Sequence, residues 1–477
     1  MKNRVYFFLG ISVIIIFTSL ILLTGNDVYW YGLTFVLVIL QIRLGKDVSG
    51  IFPLIAILAL TEYYFIFSGK RVYLCELIYY PLLINYFLLS SPNKPLPRLN
   101  IIITTLVFII VVFQGFNFLI NSDFTSSFFR VRSFALPLFL VYIVVDRVKQ
   151  KNDLKKVVKI ILFVSLIATA IVYLQFVTGN YYILQRNDAL AVDDIDFNDW
   201  YLSATEDSFL FNFIGINIKG PIPPVGLNYF KFGYSEKIIV ALSLSLALFK
   251  FRKSNKRYVY FLFFFLILIA TLLTGSRSIL LAFLFILLII HLFYRNKLRW
   301  NFMLIIILSF FLVTYLIGPL LSIINLEEFG TLAGRIFYME DFFSFIAKHP
   351  RVLFAGSSPD EFIKVSGANQ PPHHFFAFGI IFDGIIVTSI LFFCFYKLLK
   401  KTRNFRTKDP EILAIGFGLW ASLFGYVFIY GQTSYLTWSI PHNMFFCIIT
   451  GLLIATYKIS NRNWPEAELK YSLGNIN

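Results

Sequence analysis

The sequence predicts an all-α, polytopic integral membrane protein, and three observations support this. Hydrophobic residues make up 58% of the 477 residues, charged residues only 14%, and the mean hydropathy is +0.75. A water-soluble core cannot hide so much apolar surface. Runs of about 17 to 25 mostly apolar residues, long enough to cross the hydrocarbon as a helix, recur along the whole chain.

Fourteen apolar runs, bounded by charged and turn residues, are predicted to be transmembrane helices. The first follows Met-Lys-Asn-Arg and has no small-residue cleavage site after it, so we interpret it as a helix rather than a cleaved signal sequence. The predicted spans are roughly 5–24, 28–42, 49–67, 72–90, 101–120, 126–145, 157–177, 234–250, 258–274, 279–294, 302–324, 375–396, 412–430 and 442–457.

The net charge of +16 is distributed in short clusters between these spans. With the N-terminus inside, the clusters at 147–159, 250–257, 295–299 and 397–408 all lie on the inner side, so both termini are predicted to be cytoplasmic. A nucleic-acid partner is not predicted, because the Lys and Arg residues do not form one basic face with aromatic platforms.

The spans divide the chain into five parts. The predicted division is an N-terminal bundle of seven spans (1–177), an outer loop (178–233), spans eight to eleven (234–324), a second outer loop (325–374), and the C-terminal spans with a cytoplasmic tail (375–477). Loops held by a rigid scaffold are where chemistry collects, so we expect the function on the outer face.

Cations at the predicted outer boundary are the first candidate site residues. Arg130, Arg132, Lys219, Arg277 and Arg335 lie there against the positive-inside rule, as do Lys70 and Arg71, which suggests an anionic ligand at the membrane surface. Arg277 stands between two serines in a tight turn, where its planar guanidinium matches phosphate oxygens. The alternative is an interfacial Arg reaching lipid headgroups.

Histidines at the same boundary are the second set of candidates. His373 follows Pro371 and Pro372, which stiffen the backbone, and an imidazole can accept a proton near neutral pH. His374 and His442 are the second choices for this role. The structural alternative is a helix-start histidine that is hydrogen-bonded by its loop. The sequence contains no phosphate-binding glycine loop, paired-Cys spacing or zinc-protease motif, so no cofactor and no metal ligand is predicted.

Three carboxylates lie in apolar spans, at Asp383, Glu62 and Glu76. A bare carboxylate in hydrocarbon is costly, so each is expected to face the bundle and pair with a cation. A role in helix registry is the alternative to a role in the site.

Three motifs resemble the O-antigen polymerase and ligase family of membrane glycosyltransferases. Thr274 to Ser278 is similar to its Ser-Arg turn, and Pro372-His373 with Gly384-Ile385-Ile386 is similar to its histidine helix. The loop motifs are Gly334-Arg335, His349-Pro350, Phe354-Ala355-Gly356 and Phe362. Upstream, Lys219 stands nine residues before Asn228, where the family usually has Arg, and His374 replaces a common Asn.

The resemblance implies a GT-C-type glycosyltransferase of the bacterial cytoplasmic (inner) membrane, with its active site on the periplasmic or outer face. The implied donor and acceptor are undecaprenyl-diphosphate-linked oligosaccharides. His373 would be the general base, and Lys219, Arg277, Arg335, Asn228, Arg130 and Arg132 would bind substrate, without a metal. A chain-length regulator and a flippase of the same pathway are the implied partners besides the bilayer.

Three functions remain open at this point. A polymerase and a ligase share the donor and differ in acceptor, which is another lipid-linked repeat unit or lipid A-core. The number of spans and the two outer loops favour the polymerase. A flippase or other transporter would place polar residues near the bilayer midplane, often in repeated halves, whereas the candidates here cluster at one boundary.

Overall fold

Helices dominate the part of the chain that the computed structural model describes. The described residues are 2–24, 28–44, 48–61, 63–67, 70–89, 98–121, 124–178, 231–252, 254–274, 277–294, 341–357, 359–366, 375–430 and 439–462. The only β structure among them is one two-stranded hairpin. The chain is therefore a helical membrane protein, as predicted.

The helices of the first half follow the predicted apolar runs closely in most places. They are α1 (Lys2–Thr24), α2 (Val28–Leu44), α3 (Phe52–Leu60), α4 (Leu74–Leu89), α5 (Arg98–Asn121), α6 (Phe124–Arg130), α7 (Leu138–Arg147) and α8 (Lys151–Thr178), with a 3₁₀ turn at Val48–Ile51 and a π-helical segment at Val131–Ala135.

The second half continues with α9 (Lys231–Phe251), α10 (Arg257–Leu273), α11 (Arg277–Tyr294), α12 (341–348), α13 (Val352–Ala355), α14 (Pro359–Ser366), α15 (Phe375–Thr402), α16 (Pro410–Tyr430) and α17 (Ile440–Arg462). The predicted span 302–324 and residues 179–230 of the predicted first outer loop lie outside the described residues. Residues 231–233, predicted as the end of that loop, instead begin α9.

Within the described ranges, five helical stretches are long and apolar enough to cross a membrane by length and composition. They are Ile102–Leu119, Ser127–Arg147, Lys151–Val177, Gly379–Thr402 and Ile440–Asn461. Several shorter apolar helices accompany them, including Leu9–Ile21 and Arg257–Leu273. Fourteen crossings and a GT-C architecture stay predictions.

The third predicted span is wrong at its C-terminal end. The helix expected over 49–67 stops at Leu60, and the chain then forms an antiparallel hairpin of β1 (Tyr64–Phe67) and β2 (Lys70–Tyr73). Aromatic and β-branched residues favour a strand, and the Ser-Gly pair at 68–69 is typical of a tight turn. Hydropathy alone does not separate such a strand from a helix end.

Ion pairs join the basic start of α8 and the basic end of α9 to the acidic start of α16, at one end of the bundle. Lys151 at the start of α8 pairs with Asp409, while Lys155 and Arg252 both pair with Glu411. Asp409 also caps α16, because its Oδ1 accepts the backbone N–H of Glu411 at 3.0 Å. The clusters 147–159, 250–257 and 397–408 therefore share one end, which fits the predicted orientation.

Close helix packing in the middle of the bundle depends on small residues. Ser243 on α9 donates to the Gly418 carbonyl on α16 at 2.8 Å. A Cβ built on Gly418 would lie 3.1 Å from the Leu244 Cα. Small side chains allow helix backbones to approach in a bilayer, where van der Waals contact replaces the hydrophobic drive.

Candidate active site

The helix that follows His373 in the sequence is broken. Within α15, Gly384 has φ +73° and ψ 168°, so the helix divides into two halves there. The break exposes carbonyl groups that a continuous helix would have satisfied. The Phe382 carbonyl accepts Nε2 of Gln114 at 3.0 Å and Nδ2 of Asn117 at 3.3 Å, both from α5. Every freed group in a membrane helix needs such a partner.

The broken part of α15 packs against a second turn that also contains a glycine with positive φ. Gly356 ends α13 with φ +74°, and the Ser357 N–H donates to the Ile381 carbonyl. A Cβ on Gly356 would overlap the Phe382 carbonyl oxygen, and a Cβ on Gly384 would overlap the Phe354 carbonyl oxygen. Each position therefore requires glycine for two reasons, the positive φ of its backbone and the close approach of a neighbouring carbonyl group. Two motifs that are separated in the sequence thus pack directly against each other, and we call this contact between the Gly356 turn and the Gly384 break the Gly356–Gly384 joint.

A buried ion pair holds the same joint from the side. The Arg130 Nε bonds to both Asp383 oxygens, at 2.9 and 3.1 Å, and the Arg130 Nη2 pairs with Asp383 Oδ2. Gln114 Nε2 donates to Asp383 Oδ1 at 2.9 Å. The Arg130 guanidinium also stacks on the Phe134 ring at 4.4 Å. With Arg130 and Asp383 each about 1% exposed, the charges are neutralised inside the protein.

A second ion pair involves Arg132, two residues after Arg130 in the sequence. The Arg132 guanidinium holds Glu76 through Nε at 2.6 Å and through Nη2. Glu76 also accepts the Tyr73 N–H at 3.0 Å and the Tyr80 hydroxyl at 2.9 Å. A glutamate that reaches back to the residue before its own helix is half of a capping box. Arg132 thereby connects the start of α4 to the π-helical segment.

A proline explains how α17 joins this cluster. Pro137 has no N–H to donate to the carbonyl four residues earlier, which is that of Ser133. The freed Ser133 carbonyl instead accepts Nδ2 of Asn443 at 2.7 Å. His442, the neighbour of Asn443, is fully buried, with Nδ1 2.6 Å from the Ser439 hydroxyl.

These contacts gather α5, α6, α13, α15 and α17 at the end of the bundle opposite the Lys151 and Asp409 pair. About 25 Å of helix separates Arg130 from Arg147, at 1.5 Å per residue. Predicted outer cations and a predicted outer histidine therefore lie close to one another in space.

Comparison with known proteins found a family model that matches the part of the chain containing the joint. Residues 261–392 match the family model described as O-antigen ligase. The match confirms the family resemblance over this segment, which contains both Gly356 and Gly384. No curated protein and no solved structure matches the chain.

The segment that matches the family model, residues 261–392, also contains the predicted Ser-Arg turn. α10 ends at Leu273, and Arg277 is the first residue of α11, as the predicted tight hairpin requires. Phe264 and Phe283 contact across the two helices at 5.8 Å. The two helices are therefore adjacent. The Arg277 side chain lies outside the described part, as do residues Lys219, Asn228, Arg335, His373 and His374.

Two sequence predictions about buried carboxylates match the geometry of the family segment and its surroundings. Asp383 and Glu76 face the bundle and each pairs with an arginine. The partners, Arg130 and Arg132, were predicted to bind substrate. Both guanidinium groups form ion pairs with carboxylates of the protein itself. Substrate binding by Arg130 and Arg132 stays a prediction.

Sequence reasoning missed the amides of α5 that contact the broken start of α15. Gln114 and Asn117 stand three residues apart on the otherwise apolar α5, and both are buried, whereas their neighbour Leu119 is 73% exposed. Two polar residues on one face of an apolar helix were the available signal, because such residues are retained in a membrane helix when they have partners.

Proposed function

We propose that this protein is a membrane glycosyltransferase that polymerises undecaprenyl-diphosphate-linked oligosaccharide repeat units. One observation carries the proposal. The segment that matches the O-antigen ligase family model contains the first part of α15, residues 375–392, and the broken start of α15 is fixed by the Gly356–Gly384 joint and by Arg130. His373 precedes this helix by two residues. A general base needs such a fixed support if it is to act in one geometry.

In the proposed reaction, His373 takes the proton from a hydroxyl of the acceptor sugar. The hydroxyl oxygen forms a bond to the anomeric carbon of the donor while the bond from that carbon to the diphosphate oxygen breaks. Undecaprenyl diphosphate leaves with the bonding electrons, and in-line attack inverts the anomeric carbon. General base assistance of this kind contributes typically about 10²- to 10⁴-fold in rate.

The leaving diphosphate gains negative charge as its bond to the sugar breaks. We assign its stabilisation to Arg277 and Lys219, with Arg335 and Asn228 as further contacts. Positive groups aimed at the developing charge lower the barrier without a metal ion. Arg130 and Arg132 support the site from behind, since their charges are already matched by Asp383 and Glu76.

The proposed setting is the bacterial inner membrane, with both termini cytoplasmic and the active site on the outer face. The ion pairs that gather three basic segments at one end support this orientation, because basic segments concentrate on the cytoplasmic side. The site cluster lies toward the other end.

A ligase is the second candidate, favoured by the description that the matching family model carries. It would use the same donor and transfer the chain to lipid A-core. The acceptor alone separates the two activities.

The test uses purified full-length protein in detergent with a chelator, undecaprenyl-diphosphate repeat units as donor, and lipid A-core offered in a parallel reaction. We expect long chains without lipid A-core, and no chains from His373→Ala or Arg277→Ala. His291→Ala is the matched control, because His291 is an exposed histidine near Lys250 at the basic end.

Each other outcome corrects a definite part of the proposal. Transfer only to lipid A-core would make the protein a ligase. Full activity in His373→Ala would reject His373 as the base and direct the same test to His374 and His442. No transfer to either acceptor by the folded wild-type protein would reject glycosyl transfer.

A further inference from the structure

A cavity of about 960 Å³ lies at the basic end of the bundle, far from the candidate active site. It is formed by α1, the 3₁₀ turn at Val48–Ile51, α8 and α10. Its volume is in the range of ligand sites in proteins, about 300 to 1,000 Å³. Neither the family match nor the proposed reaction assigns anything to it.

The residues that line the cavity change from basic to apolar along both long helices. On α8, Lys156 and Lys159 come first, and Phe163 and Leu166 follow on the same face. Lys256 stands immediately before α10, and Phe263 lies two turns further on. From Lys156 to Leu166 is about 15 Å of helix, which equals about half of the 30 Å hydrocarbon core. The cavity therefore has a charged mouth and an apolar interior, one leaflet deep.

The lysines at the mouth of the cavity differ from nearby lysines of α8, which form ion pairs with carboxylates. Lys155, next to Lys156 in the sequence, pairs with Glu411, and Lys151 pairs with Asp409. Within the described parts of the chain, no carboxylate lies within ion-pair distance of Lys156, Lys159 or Lys256. Lys156 and Lys159 are exposed. Among the described residues, the three cations at this mouth therefore have no carboxylate partner that neutralises them.

We propose that this cavity binds one anionic phospholipid from the surrounding leaflet. Its phosphate headgroup would lie between Lys156, Lys159 and Lys256, and its acyl chains would pack on Phe163, Leu166 and Phe263. Charge complementarity and the order from basic to apolar both match this ligand. A soluble anion would leave the apolar interior unused, and a zwitterionic lipid would leave the positive charge unmatched. The lipid connects α1, α8 and α10 and stabilises their packing.

The experiment uses full-length protein in a neutral detergent, to which phosphatidylglycerol or phosphatidylcholine is added. Native mass spectrometry counts retained lipids, and a thermal unfolding scan measures stabilisation. We expect phosphatidylglycerol to be retained and to raise the Tm, and phosphatidylcholine to do neither. The variant Lys156→Gln/Lys159→Gln/Lys256→Gln should weaken phosphatidylglycerol binding by at least about tenfold, since each lysine near an anionic headgroup contributes to binding.

A matched control removes the same charge from the same end. Lys397, Lys400 and Lys401 are exposed lysines at the end of α15, and their triple Gln variant should bind phosphatidylglycerol like the wild type. Leu166→Trp tests the apolar part, because it fills the interior and should reduce retention while all three lysines remain. Equal binding of both lipids, an unchanged Lys156/Lys159/Lys256 variant, or an equal loss in the control would overturn the proposal.

Discussion

Arg130 and Asp383 are separated by 253 positions in the sequence, yet they form a bidentate ion pair in the interior of the protein. The pair joins α6 to the broken start of α15, beside carbonyl groups that Gln114 and Asn117 satisfy. The candidate active site thus rests on a polar joint inside an apolar bundle.

Removing one partner of this pair should be far worse than removing both. Asp383→Leu leaves a buried guanidinium without its counter-charge, which typically costs about 3 to 5 kcal/mol, whereas an apolar replacement of both partners is often close to neutral. We expect Asp383→Leu to lower the Tm strongly in detergent, and Arg130→Met/Asp383→Leu to recover much of that loss. A double variant as unstable as the single one would show that the pair does not act as a unit.

The two joint glycines should not tolerate even a methyl group. Gly356→Ala and Gly384→Ala each place a Cβ on a backbone with positive φ and ψ near 180°, a conformation that costs a residue other than glycine about 1 to 3 kcal/mol. The added Cβ would also lie against a neighbouring carbonyl oxygen. We expect both variants to unfold at lower temperature and to lose transfer activity. Gly115→Ala is the control, because nothing lies within 4 Å of the added Cβ, and alanine favours a helix by about 1 kcal/mol. Equal losses of Tm and activity in all three variants would contradict the claim that Gly356 and Gly384 are required at this joint.

Arg132 permits a separation of positioning from substrate binding. Arg132→Gln should reduce both stability and activity, because it leaves Glu76 buried without its partner. Adding Glu76→Gln removes the unmatched charge and should restore the Tm. The kcat and KM of chain formation are measured for each variant. If the double variant recovers both the Tm and the activity, Arg132 has a positioning role. A restored Tm with a raised KM would instead support the original prediction that Arg132 contacts the donor.

Asp409 should make stability depend on acidic pH. Burial alone would raise the pKa of Asp409, but hydrogen bonds from Lys151 and from the N–H groups of Glu411 and Ile412 outweigh it and hold the pKa below 3.8. The stabilisation is therefore fully present above pH 3.8 and is lost as the pH falls through the lower folded-state pKa. Unfolding scans of wild type and Asp409→Asn should converge at acidic pH. Parallel curves over the whole range would contradict the assignment.

Composition and the pattern of apolar runs correctly predicted a helical membrane protein, and they did so for a simple reason. A chain with 58% hydrophobic residues has few places for its polar groups, so apolar runs of bilayer length become helices. The error at 61–67 shows the limit, because Tyr64 to Phe67 is as apolar as a helix end but pairs as a strand with Lys70 to Tyr73. Hydropathy describes the transfer of side chains out of water, and it does not indicate whether the backbone groups form hydrogen bonds within a helix or with a neighbouring strand.

Within the candidate site, the sequence by itself determined that Asp383 and Glu76 need cations, because an unpaired carboxylate in an apolar span is too costly. It did not determine which cations. Only the tertiary structure paired Asp383 with Arg130 and brought Gly356 against Gly384, because both contacts join helices that are far apart along the chain. Local pattern fixes the cost of a buried charge or a left-handed glycine, and the packing of distant helices decides which group meets it.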